Sequence, residues 1–127
     1  YEIRLSLVGS EMCIRDRTIS DYISTARYIA DSGASGIKIS LLHILKDTDL
    51  YNDYCKGLFK ALTMDEYLAA IGAILPVLPK SMVIHRLTGD GPKNILAAPL
   101  WTADKKRVLN TLSHYLKENM IYQGNDL

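Results

Sequence analysis

Apolar residues recur at helical spacing in three stretches of the chain and gather into two short β-branched runs between them. From Thr18, the positions Ile19, Tyr22, Ile23, Ala26, Ile29 and Ala30 line one face of a helix. Thr18-Ile-Ser-Asp21 has the form of a capping box, with Asp in place of the usual Glu, and Gly33 is a natural left-handed stop. Ile37 to His43 is β-branched and largely apolar, which predicts a strand. Ile44 to Asp49 predicts a loop, and Leu50 to Lys56 a short helix ending at Gly57. Thr63-Met-Asp-Glu66 is a full capping box. It opens a helix whose apolar face is Met64, Tyr67, Leu68, Ile71, Ile74 and Leu75, closed by Pro76 and Pro79. Met82 to Leu87 predicts a second strand. Thr88 to Trp101 reads as a long loop punctuated by Gly and Pro. Asp104 to Asn119 is a last amphipathic helix, with Val108, Leu109, Leu112, Tyr115 and Leu116 inward. The polar tail from Tyr122 is expected to fray.

Strands alternating with helices predict an α/β fold with parallel pairing through helical crossovers. Two strands are too few for a parallel sheet covered on both faces, so further strands are expected before Thr18. The alternation of Ile3, Leu5 and Leu7 with Glu2, Arg4 and Ser6 is compatible with one. Residues 1–17 also resemble the string produced when sequencing-adaptor DNA is translated at the end of a read. On that reading they form a non-native leader and Cys13 has no role, leaving residues 18–127 as the domain proper.

Composition narrows the classes of function. The 127-residue chain allows one small domain, with 48% hydrophobic and 23% charged residues. Its net charge of +1 supplies no basic surplus for nucleic acid, so there is no DNA-binding signal. No apolar run reaches the roughly 18 residues needed to span a bilayer, and no signal peptide is visible. Two cysteines, Cys13 and Cys55, make neither a C-x-x-C pair nor a disulfide framework, which suits a reducing cytoplasmic setting.

Two stretches are distinctive. One is Gly36-Ile-Lys-Ile-Ser-Leu-Leu-His-Ile-Leu-Lys-Asp-Thr48. The other is Val83-Ile-His-Arg-Leu-Thr-Gly-Asp-Gly-Pro92, followed by Ala97-Ala-Pro-Leu-Trp101. With Tyr122-Gln-Gly124 they resemble the C-terminal region of the YhcC/YtqA-type radical SAM proteins, relatives of the Elongator catalytic subunit and the methylthiotransferase-type enzymes. The resemblance implies the C-terminal part of a (β/α) partial barrel; a complete eight-stranded barrel takes ~250 residues. It implies a parent enzyme with a [4Fe-4S] cluster held by C-x-x-x-C-x-x-C, which cleaves S-adenosylmethionine to a 5′-deoxyadenosyl radical. Such clusters need thiolate ligands. That motif and the Gly-Glu segment for the methionine moiety are both absent from this sequence, so the fragment itself is expected to hold no cofactor and no metal and not to be catalytic. Ser40 stands where relatives commonly have His, which puts any role for that position in doubt. The parent's substrate, a small molecule or by analogy an RNA, stays open.

Strand C-terminal ends carry the active site in a parallel barrel. The first strand ends at His43, with Lys46 beyond it; the second ends at His85-Arg86, with Thr88 and Asp90 beyond. His43, Lys46, Arg86, Thr88 and Asp90 are therefore the candidate substrate or cofactor rim. Arg86 leads, because guanidinium suits bidentate recognition of carboxylate or phosphate. Four of them have a plainer reading: His43 as a histidine bonded to backbone, Lys46 as a solvated charge, Arg86 and Asp90 as an ion pair pinning a loop. Thr88 to Lys93 lacks the Walker spacing, and His43, His85 and His114 lack metal-ligand spacing. Cys55 reads as a small apolar filler, and Trp101 and Pro99 as packing for the last helix. A small non-catalytic α/β binding module is the alternative to a piece of an enzyme.

Overall fold

The computed structural model describes residues 2–6, 19–40, 44–58, 60–87 and 93–125, with the backbone alone for 2–6, Ser40 and Arg86. Three strands, β1 (Glu2–Ser6), β2 (Gly36–Ser40) and β4 (Val83–Arg86), form a parallel sheet in the order β1-β2-β4. β1 thus takes the position of the expected extra strand. A second, antiparallel ladder joins β3 (Ile44–Leu45) to β5 (Leu96–Ala98). The helices are α1 (Ile19–Asp31), α2 (Asp49–Cys55), α3 (Met64–Ile74) and α4 (Lys105–Glu118). The two crossovers that make the sheet parallel run through α1 and through α2–α3, as the alternation of patterns predicts. Among the described residues no helix is long and apolar enough to cross a membrane.

Local chemistry explains the element boundaries. Gly33 ends α1 at φ 81° and Gly57 follows α2 at φ 74°, a region open to glycine at little steric cost. At the start of α3 the Thr63 hydroxyl accepts from Glu66 N at 3.1 Å, and Glu66 Oε1 accepts from Thr63 N at 3.0 Å. The capping box thereby satisfies two of the helix's orphan donors. Asp104 caps α4 by accepting from Arg107 N at 3.1 Å. Thr18, the proposed cap of α1, lies outside the described residues.

The core lies between one face of the sheet and the helices. Tyr22, Ala26 and Ile29 of α1, Ile37 and Ile39 of β2, Tyr67, Ile71 and Ile74 of α3, and Val108 and Leu112 of α4 are buried together, with Ile84 of β4 packed against them. Removing each large aliphatic side chain from water contributes roughly 1.5–3 kcal/mol. This one-sided apolar stripe on each helix is what makes them dock.

Four expectations change. The stretch after Ile44 is not wholly loop, and Thr88–Trp101 is not one long loop. It holds a 3-10 turn at Lys93–Ile95, the strand β5 and a second 3-10 turn at Leu100–Ala103. Strands of two or three residues are too short for a hydrophobic period to mark them. The tail does not fray through Asn125: Gln123 Nε2 donates to the carbonyls of Pro79 and Met82 at 2.5 and 2.6 Å, and Gly124 N donates to Leu75 O at 3.2 Å. Cys55 is exposed rather than a filler. The cause is that α2 buries none of its residues: its Leu50, Tyr51 and Tyr54 pack against Ile44 and Ala98 but are themselves only partly buried, and Cys55 is left outside that contact.

Candidate functional site

Parallel pairing puts the last residues of β2 and β4, Ser40 and Arg86, at the same carboxyl end of the sheet. The backbone that follows each end then joins the other through the β3–β5 ladder, where Ile44 faces Ala98 and Leu45 faces Leu96. Beyond it Lys46 N donates to Ile95 O at 2.7 Å, and the Lys46 side chain is exposed. Thr48 turns the chain into α2, its hydroxyl donating to Leu45 O at 2.7 Å and accepting from Tyr51 N at 3.1 Å.

The five rim residues divide accordingly. Arg86 ends β4, with its backbone alone described, and Lys46 sits on the turn after β3. His43, Thr88 and Asp90 fall outside the described residues.

The sheet has a second face, which sequence reasoning passed over. Ile37, Ile39 and Ile84 point to the helices; Lys38 lies between the two buried isoleucines of β2 and is only half-buried. On β4, Val83 is 55% exposed and His85 is exposed. The His85 ring covers Gly36: a Cβ there would come within 2.6 Å of His85 Nε2 and 3.3 Å of the Val83 carbonyl. Strand residues alternate between faces, so a lysine between two isoleucines was the available signal. In a barrel the face turned away from the helices is the lumen side, because helices cover the outside. A cleft of about 570 Å³ borders β4, walled by Ile84, His85, Leu87, Leu109, Leu116 and Tyr122 among others.

The residues present do not fit an iron–sulfur cluster. The chain has two cysteines, one fewer than the three thiolates of C-x-x-x-C-x-x-C, and 41 residues lie between Cys13 and Cys55. Among the described residues no three His, Cys, Asp or Glu side chains gather as a ligand set. Cys55 instead engages its neighbour, and a hydrogen bond to its sulfur raises the Tyr51 hydroxyl pKa above the ordinary tyrosine value.

Comparison with known proteins agrees with the fold. Residues 34–118 match the model of the radical SAM C-terminal domain. YtqA of Bacillus subtilis is 38% identical over 102 residues, which is 80% of this chain and 32% of that protein. YhcC of Escherichia coli is 25% identical over 108 residues, 85% of this chain and 35% of that protein. A Methanocaldococcus jannaschii protein is 28% identical over 105 residues, 82% and 33% of the two chains. The chain therefore spans about a third of the length of these curated relatives. With the matched stretch running from the end of α1 to the last turn of α4 across both distinctive motifs, the chain belongs to the radical SAM C-terminal domain family.

Proposed function

We propose that the chain is the C-terminal part of a cytoplasmic radical SAM enzyme. In this reading the whole protein holds a [4Fe-4S] cluster and S-adenosylmethionine, and uses the resulting 5′-deoxyadenosyl radical to abstract hydrogen from its substrate. The chain contributes the substrate side of the site rather than the cluster. The observation that carries the reading is the family match across β2, β4 and the helices around them.

Within it, His43, Lys46, Arg86, Thr88 and Asp90 form the rim at the strand ends, and Lys38 and His85 belong to the neighbouring face of the sheet, turned away from the helices. Arg86 takes a carboxylate or phosphate of the substrate or cofactor, for which its planar fork is suited. The substrate class beyond that is unassigned; a small molecule and an RNA both fit this chemistry.

The test has two arms. Anaerobic reconstitution of the 127-residue chain with iron and sulfide should yield no stable cluster, whereas the full-length parent should bind about four irons, as cysteine-ligated [4Fe-4S] centres do. In that parent, Arg86→Ala should lower turnover without lowering iron content. A cluster in the fragment, or loss of folded protein in step with loss of activity, would defeat the reading.

A further inference from the structure

The cavity at the starts of α3 and α4 has an unassigned chemistry. It measures about 610 Å³ and is lined by Met64, Lys93, Leu100, Trp101, Ala103, Asp104 and Arg107. That volume falls within the ~300–1,000 Å³ of small-molecule sites. Lys93 belongs to the 3-10 turn before β5, and Arg107 to the first turn of α4. Both side chains are exposed, and among the described residues neither has a carboxylate within ion-pair reach. The nearby Asp104 carboxylate is engaged with the Arg107 backbone N–H as helix cap. Trp101 is half-buried: its indole N–H donates to Leu62 O at 3.0 Å and its ring lies 5.4 Å from that of Tyr67. The indole is held in one orientation by contacts on its buried side while it lines the cavity.

We propose that this cavity binds a phosphate ester carried on a flat ring, a nucleotide unit, with Lys93 and Arg107 on the phosphate and Trp101 against the ring. Two cations in one cavity match a phosphate monoester, which carries close to two negative charges at neutral pH. Arg supplies the bidentate fork and Lys the point charge. An aromatic face accepts any base, because every base has a π-face. Met64 and Leu100 extend the apolar wall on which a ring rests. The test of this site is independent of the radical SAM reading because it needs no cluster.

Trp101 is the one tryptophan in the sequence, so intrinsic fluorescence of the 127-residue chain reports this cavity. Adenosine 5′-monophosphate should change that fluorescence saturably, adenosine should bind at least tenfold more weakly, and inorganic phosphate should compete. An adenosine oligonucleotide in parallel separates the sources: preference for it assigns the site to nucleic acid, and preference for the mononucleotide to a free nucleotide. The Lys93→Gln/Arg107→Gln variant should lose at least tenfold in affinity; circular dichroism checks its fold, and the single variants replace it if it does not fold. Asp104→Asn keeps a good cap and removes a like charge, so it should tighten binding. No saturable change with the nucleotide, equal binding of adenosine, or charge variants that bind as well as the parent would each overturn the proposal.

Discussion

The Gln123 side-chain amide donates to the Met82 carbonyl at 2.6 Å, across 41 residues of chain. Through its second bond, to Pro79 O, it closes the turn that delivers the chain into β4. Nearby, a Cβ on Gly124 would lie 2.7 Å from Lys80 Cγ, and Lys80 Nζ sits 5.9 Å from the Tyr122 ring centroid. The segment Tyr122-Gln-Gly124 is thus a clasp that holds the entry to β4, and with it the position of Arg86.

Gln123→Ala should therefore destabilise the chain although the site is near the terminus. It removes a donor from two part-buried carbonyls, of which Pro79 O keeps its bond from Met82 N at 3.0 Å, at a cost of about 1–3 kcal/mol for the buried share. Denaturant unfolding measures this; a loss below about 0.5 kcal/mol, the usual effect of a surface substitution, would mean that the clasp does not hold β4.

Tyr67 links α3 to the end of β4 by donating from its hydroxyl to Leu87 O at 2.8 Å. Burial raises that hydroxyl's pKa far above its ordinary value of 10.0. The folded state therefore keeps the proton that the unfolded state releases. The stabilisation is complete below pH 10 and is lost as pH rises through the folded value. Tyr67→Phe should cost about 1–2 kcal/mol at pH 7, and the gap between the two proteins should narrow above pH 10. Parallel stability curves up to pH 11 would show that Tyr67 is not protected by burial.

Gly36→Ala places a Cβ against the His85 ring and the Val83 carbonyl. The ring, being exposed, can swing away; the carbonyl of the paired strand cannot without shifting β4. The variant should lose about 1–3 kcal/mol, the usual range for overpacking. Part of that loss should disappear in a His85→Ala background, as coupling between contacting residues. Strict additivity of the two changes would show that the ring does not cover Gly36.

The origin of residues 1–17 can be tested by exchanging their side chains while keeping a strand. β1 pairs with β2 from Glu2 opposite Gly36 to Ser6 opposite Ser40, and backbone bonds of such an edge strand do not depend on the side chains. If residues 1–17 are a non-native leader, exchanging them for an unrelated sequence that alternates apolar and polar residues should leave the unfolding midpoint unchanged. A loss above roughly 2 kcal/mol, as for buried core truncations, would identify Ile3 and Leu5 as selected core residues.

The sequence alone determined the elements whose apolar period is long enough to read. Helices α1, α3 and α4, the Thr63–Glu66 capping box and the parallel strands β2 and β4 follow from residues within a dozen positions of one another. The family was legible in the Gly36–Thr48 and Val83–Pro92 stretches, and residues 34–118 bear it out. Tertiary structure decided what depends on distant partners. β3 and β5 exist because each satisfies the other's backbone across some fifty positions, and neither has a period of its own. Gln123 is polar and near the terminus, which reads as solvated until the carbonyls of Pro79 and Met82 come within reach. Lys93 and Arg107 belong to neither distinctive stretch; only the contacts of the Leu100–Ala103 turn with β5 and α4 bring them around one cavity with Trp101.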